Sequence, residues 1–370
     1  MKFIATCKLG LESLVTRQLH DLDIEVLETA DARVSFSGGA EAMVKSLLWL
    51  RTAERVLLVV DEFDAETFDD LFEKTKAVRW KQFLKPETNI HVTGKSAKST
   101  LFSVSDCQSI VKKAIIENLK TAYRTQIIPE GGQEIIVEVG LLRNHVSLCL
   151  DCCGAGLSRR GYRTYNVAAP LSETLGAAIV QLSRFRADST LIDPMCGSGT
   201  MPIEAAMIAQ NIAPGLGRSF AAESWWFFDQ GIWARERQNA LDARTNQKID
   251  VRGYDIDEHS IDLCKKHAKK AGVFCDWRVQ DIKSFSVTEK SGIIVCNPPY
   301  GERMMEKDEA KLLYLIMRRV FSPHPGWSVN VFSGMREFEQ VYGTRADKRR
   351  KLTNGGMPCT LYQYFGKRDI

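Results

Sequence analysis

The stretch TLIDPMCGSGTMPIEAAMIAQ constrains this chain more than any other. A short apolar strand through Leu191 and Ile192 ends at Asp193, passes Gly197, Ser198 and Gly199, and opens a helix at Thr200. A strand, glycine turn and helix in that order bring backbone close to a ligand and aim the unpaired N–H groups of the first helical turn at it. The third glycine of a dinucleotide fingerprint is missing, and no Lys-Ser or Lys-Thr follows as in a P-loop. An acid at the strand end repels a pyrophosphate but suits a ligand that carries ammonium and sulfonium charge. S-adenosylmethionine is such a ligand.

The acids that follow keep to strand ends, where open α/β sheets bind ligands. VRGYDID ends a strand at Asp255, with Ile256 behind it; CDWRVQD ends the next at Asp281; GIIVCNPPY ends a third at Asn297, Pro298, Pro299 and Tyr300. A carboxylate after the second strand can accept both ribose hydroxyls, and Asp281 can accept an adenine amine. Asp193, Cys196, Gly197, Gly199, Thr200, Asp255, Ile256, Asp281 and Asn297 are therefore the expected cofactor contacts. N-P-P-Y is the most specific element, because two prolines fix the backbone and remove two N–H donors, leaving carbonyls to accept. Attack by an exocyclic amine needs such acceptors: the Asn297 oxygen and the Pro298 carbonyl would hold its hydrogens while Tyr300 stacks on the base. Cys196 and Cys296 are not placed as a thiolate adduct at a pyrimidine carbon would require, and read as packing residues.

A chain of 370 residues, 44% of them apolar, supports two or three domains with cores of their own. Ahead of the glycine turn, FIATC, GLESLVTRQLHDL, RVSFSG, AEAMVKSLLWLRTAERV and VLLVVDEF alternate strand and helix patterns, an order of ferredoxin-like type over residues 1–60. Over 61–160, helical FDDLFEKTKAVRWKQFL precedes the strand NIHVTGKS, the helix VSDCQSIVKKAIIENLKTAYR and a hairpin of EIIVEVGLLR and HVSLCLDCCG turning near Asn144. Residues 161–370 hold the α/β series, interrupted by the aromatic and arginine-rich stretch 211–250, which is expected to pack over the site, the alternative being that it merely staples a long insertion. The series closes with WSVNVFSG and CTLYQYFGK as an edge hairpin.

The net charge is only +4, so a polyanion must be met by local patches. Lys95, Lys98, Arg143, Arg160 and Arg163, at turns and element ends, are the candidates for such a patch, or else an ordinary solvated face. The ten cysteines are scattered through apolar segments and read as buried thiols of a reducing cytosol rather than a disulfide frame or a zinc site. With no apolar leader at the start and no run of the ~20 apolar residues a membrane span needs, a cytoplasmic protein without metal or membrane partners is expected.

DPMCGSGT, YDID, QD and NPPYGER in this order resemble class I RNA methyltransferases that carry an N-terminal THUMP domain. More closely, RGYR followed by APLSETLGAAI, and IAPGLGRSFAAESW, resemble the RlmL-type guanine methyltransferases of bacterial large-subunit ribosomal RNA. The match is strong over the C-terminal half; in the N-terminal half it rests on element order. The resemblance implies a Rossmann-like methyltransferase domain behind a ferredoxin-like plus THUMP region, S-adenosylmethionine as donor, and the 2-amino group of a guanine as acceptor. It also implies a structured, ribosomal RNA gripped through phosphates and shape. Some relatives carry a second methyltransferase unit, and a second modification is not expected here. Asp193 and Asp255 lie much further apart than the usual ~20 residues, which the aromatic insertion accounts for. Another amine, in transfer RNA or in DNA adenine, remains an alternative acceptor. So does a non-catalytic RNA-binding role.

Overall fold

The computed structural model describes residues 1–163, 171–299 and 307–367, which form two seven-stranded sheets. The first sheet is built from β1 (Lys2–Cys7), β2 (Val26–Ala30), β3 (Arg33–Ser37), β4 (Ala53–Asp64), β5 (Asn89–Ala97), β6 (Glu134–Leu142) and β7 (His145–Asp151). They lie in the order β2-β3-β1-β4-β7-β6-β5. Helices α1 (Glu12–Asp21), α2 (Ala40–Trp49), α3 (Phe68–Ala77) and α4 (Val104–Tyr123) accompany it. The expected division at residue 60 falls inside β4, whose twelve residues pair with β1 at one end and β7 at the other. The ferredoxin-like and following units therefore share one sheet.

Two local expectations shift. The helix expected through Val56 stops at Trp49, because Leu50 turns extended and AERV joins β4, where Ala53, Arg55 and Val56 pair with β1. The helix expected over residues 68–84 ends at Ala77 and resumes as a single 3₁₀ turn, Trp80–Gln82, with the Trp80 indole donating to the Thr75 carbonyl at 2.8 Å. Cys149 and Cys152 have a C-x-x-C spacing at the end of β7, yet both thiols are free and buried. They sit in different apolar clusters, and burial pushes the thiol pKa up in both.

The second sheet contains β8 (Leu191–Asp193), β9 (Val251–Asp255), β10 (Asp276–Val279), β11 (Gly292–Cys296), β12 (Trp327–Ser333), β13 (Lys348–Asn354) and β14 (Met357–Tyr364). Its order is β10-β9-β8-β11-β12-β14-β13, with the first five strands of the row parallel and β14 antiparallel to both neighbours. Helices α5 (Glu173–Leu182), α6 (Thr200–Ala209), α7 (Gly231–Asp242), α8 (Glu258–Ala271), α9 (Lys307–Phe321) and α10 (Phe338–Tyr342) belong to this half. The strand order reverses between β8 and β11, which opens a crevice at their carboxyl ends. The expected edge hairpin is present as the β12–β14 pair, but β13 extends the sheet beyond it.

The aromatic insertion does not cover that crevice. Trp225, Phe228 and Trp233 are buried in the large core cluster that also holds Leu47 and Leu48 of α2, and α7 packs on α2. The Gly215 N–H donates to the Leu48 carbonyl at 2.9 Å, in a contact so close that a Cβ on Gly215 would lie 2.7 Å from backbone. Arg218 donates to the carbonyls of Cys153, Ala155, Gly156 and Arg159. Buried aromatics and a guanidinium saturated by carbonyls make this segment the staple between the two sheets. No helix among the described residues is long and apolar enough to cross a membrane.

Candidate functional site

The carboxyl ends of β8, β9, β10 and β11 open into one cleft of about 800 Å³. Asp193, Asp255, Asp281 and Asn297 all line it, together with Cys196, Gly197, Thr200, Ile256, Pro298 and Pro299. Convergence of side chains from four strands is what a doubly wound sheet provides at its switch point.

The glycine-turn wall is held by backbone. The Asp255 Oδ2 accepts the Gly197 N–H at 2.8 Å and its Oδ1 accepts the Asp257 N–H at 3.0 Å, so the carboxylate ties the β8 turn to the β9 turn. The Cys196 N–H donates to the Tyr254 carbonyl at 2.8 Å, and the Cys264 thiol donates to the Gly197 carbonyl at 3.0 Å. Each carboxylate oxygen keeps further lone pairs for a ligand. Asp281 accepts the Lys283 N–H at 2.9 Å and caps a short 3₁₀ turn. Asp193 is 1% exposed and accepts only the Met195 N–H, at 3.2 Å, among the described residues. Burial, reinforced by the negative charge of Asp255, pushes its carboxyl well above the usual carboxylate range. Ile256 is its opposite, 69% exposed at the cleft mouth and shaped to meet a flat apolar ring.

Gly197 and Gly199 differ. Gly197 (φ +52°) lines the cleft, with open space where a Cβ would be. Gly199 (φ +82°) does not line it: a Cβ there would lie 2.9 Å from both the Cys264 Sγ and the Trp277 ring. The expectation that Gly199 touches the cofactor is corrected accordingly. Its lack of a side chain serves the packing of the turn on α8 and β10.

The opposite wall is the Asn297-Pro298-Pro299 turn. The Tyr314 hydroxyl of α9 donates to the Pro299 carbonyl at 3.0 Å and lies 3.0 Å from the Ser333 hydroxyl at the end of β12. The Asn297 Oδ1 is buried and has no hydrogen-bond partner among the described residues. Such an acceptor costs about 1–3 kcal/mol until something donates to it. Tyr300 lies outside the described residues. The Cys196 and Cys296 thiols are pushed upward in pKa by burial, consistent with packing rather than nucleophilic chemistry.

The candidate RNA contacts divide. Lys98 and Arg143 are exposed on adjoining turns, joined by the Arg143 N–H donating to the Ala97 carbonyl at 3.2 Å. Lys95 is exposed but pairs with Glu138 at 3.1 Å, a surface contact that salt screens. Arg160 is 3% exposed, so its assignment to RNA is corrected. It pairs with the buried Glu204 at 3.3 Å and donates to the Leu157 and Arg51 carbonyls. Arg163 is corrected likewise, since its guanidinium donates to the Thr200 hydroxyl at 2.6 Å and the Leu171 carbonyl at 2.9 Å, behind the cleft. Two buried carboxylates turn these arginines inward, Glu204 of α6 for Arg160 and Glu173 of α5, at 3.7 Å, for Arg163, and Glu204 in MPIEAAM and Glu173 in LSETLG were the available signals.

Ser198, His259, Ser260, Gln280, Leu312 and Ile316 also line the cleft and were not singled out from the sequence. Gln280 stands beside Asp281, and Leu312 and Ile316 are four apart on α9, spacings that only a known fold turns into a site.

Comparison with known proteins places this geometry. The sequence model for the RMKL-like methyltransferase domain matches residues 160–363, that for the RlmL ferredoxin-like domain residues 2–57, and that for the THUMP domain residues 65–151. The putative RNA methyltransferase YpsC of Bacillus subtilis is 42% identical over 369 residues, covering 98% of this chain and 96% of YpsC. The ribosomal RNA large subunit methyltransferase K/L of Syntrophotalea carbinolica is 33% identical over 98% of this chain, which spans 53% of that longer relative. The crystal structure of SMU.472, a putative methyltransferase complexed with SAH, superposes with a TM-score of 0.93 at 36% identity and covers 100% of this chain and 99% of that one. A cleft at the switch point of a β10-β9-β8-β11 row, behind a sheet that merges two N-terminal units, is thus shared along the whole length, and the chain belongs to the RMKL-like methyltransferase family with RlmL ferredoxin-like and THUMP domains.

Proposed function

We propose that this chain methylates the exocyclic 2-amino group of a guanine in large-subunit ribosomal RNA, with S-adenosylmethionine as donor. The buried, partner-poor Asp193 fits the donor's cationic end, the lone pairs of Asp255 its ribose hydroxyls, and Ile256 and Asp281 its adenine. When bound, the donor supplies an electrophilic methyl group on a sulfonium.

The chain's own residues handle the acceptor. The Asn297 Oδ1 accepts one amine hydrogen and the Pro298 carbonyl the other, which turns the nitrogen lone pair toward the donor side of the cleft. Tyr314, by holding the Pro299 carbonyl, keeps that turn in place before the base arrives. The low dielectric around Asn297 strengthens both contacts once water is displaced. Tyr300 is proposed to stack on the base. The THUMP domain, and relatives named as RNA and ribosomal RNA methyltransferases, support RNA as the macromolecule.

One observation carries the reading: Asn297, a residue of the wall opposite the glycine turn, has a buried amide oxygen with no donor among the described residues. Nucleoside mass spectrometry of ribosomal RNA from cells with and without the gene tests it. Loss of N2-methylguanosine from the large subunit is the expected result. An unchanged guanine profile, or loss of a methylated adenine instead, overturns it.

A further inference from the structure

The edge strand β13 and the turn before it carry the run Arg345 to Lys351, whose charges bear no relation to any core. Its only acid, Asp347, is occupied: its Oδ2 accepts the Phe365 N–H at 2.7 Å. Arg349 pairs with Glu339 at 2.8 Å and Arg350 donates to the Gly10 carbonyl at 2.5 Å. Arg345, Lys348 and Lys351 remain, exposed and without an ion pair among the described residues. A strand edge can be guarded against pairing by charges of either sign, yet all three unpaired groups are cations.

Their register matters more than their number. Cys296, Val331, Tyr362 and Arg349 stand in one row across the sheet, so Lys351 is two residues further toward the carboxyl rim, level with the Pro298 turn. Three strand spacings, about 14 Å, separate the two. That distance is a few nucleotides of a chain whose target base is held at Asn297. Thr353 and Asn354, the last residues of β13, extend past Ser333, the end of β12, on the same rim.

We infer that Lys351, level with the Pro298 turn, and Lys348 and Arg345 below it along the same sheet edge, Lys348 from the opposite face of β13, bind phosphates of the RNA strand that flanks the target nucleotide. The inference rests on the reading of the chain as an RNA methyltransferase. It assigns to the catalytic sheet a share of RNA binding separate from the Lys98 and Arg143 turns of the first sheet. Contacts to phosphate position the strand without reading its sequence.

The test is binding of a transcribed large-subunit ribosomal RNA, measured from about 50 to about 200 mM salt. The triple variant Arg345→Gln/Lys348→Gln/Lys351→Gln is expected to lower the slope of log affinity against log salt by about 2 to 3, with donor affinity unchanged. Lys348→Arg/Lys351→Arg is expected to keep the wild-type slope. An unchanged slope in the triple variant overturns the inference, as does an equal fall in the charge-conserving pair. Should the triple variant lose donor binding, Lys351→Gln alone decides, with an expected loss of just under about 1 in slope. A wild-type protein whose RNA binding ignores salt would instead count against the RNA reading itself.

Discussion

The two walls of the cleft are built on opposite terms. On the glycine-turn wall Asp255 already accepts two backbone N–H groups, so its carboxylate is oriented before any ligand enters. On the Asn297 wall the turn is anchored by Tyr314, while the buried Asn297 amide oxygen is left unsatisfied among the described residues. The first wall suits a ligand bound in every catalytic cycle in one pose. The second reserves its strongest interaction for the substrate. Binding energy that appears only when the amine is in place favours turnover over tight ground-state binding.

The largest test of this contrast is Asn297→Ala, expected to lower kcat about 10²- to 10³-fold, as when one preorganised polar group is lost. Donor affinity, read by calorimetry, is expected to stay near the wild-type value. If both fall together, the walls are not independent. Asp255→Ala reverses the pattern: donor affinity is expected to weaken by about 1.5–3 kcal/mol, the worth of hydrogen bonds to a charged group. Protease sensitivity of the glycine turn should rise in the same variant, because the Gly197 and Asp257 N–H groups lose their acceptor.

Asp193 gives the glycine-turn wall a pH dependence with a definite sign. Its carboxyl in the free protein titrates above the unfolded value, so its contribution to stability is full below the ordinary carboxylate range and is lost as pH rises through the raised value. A cationic donor favours the ionised form and releases the proton. Donor affinity is therefore expected to rise with pH across that window, by at most about tenfold per unit, and then level off. Asp193→Asn should flatten the profile, and an unaltered slope in that variant would assign the titration to another group. The smallest effect belongs to Tyr314→Phe, which removes the Pro299 anchor. A several-fold fall in kcat, from about 0.5–1.5 kcal/mol, is expected with donor affinity unchanged.

Legibility in the sequence followed burial. The strands β8 and β11, with Asp193 and Asn297 at their stops, were readable because a parallel strand covered on both faces is an apolar run that stops abruptly at a polar residue. The strands β2, VLETA, and β13, KRRKLTN, were not, since each lies at a sheet edge with mostly exposed side chains and so has no hydrophobic period. The aromatic insertion was recognisable as a packed segment, but its composition is indifferent to which surface it packs on. The buried aromatics met α2 rather than the cleft.

Arginine is the sharpest case. Arg143 and Arg160 look alike in a list of basic residues near turns, yet one is exposed and the other lies against a carboxylate with no solvent access. What the sequence determined by itself was local: where strands stop, which residues stand at the stops, and where glycine and proline force the backbone. The tertiary structure decided what those stops face, because burial, pairing and the lack of a donor to the Asn297 amide oxygen among the described residues depend on atoms brought from distant strands.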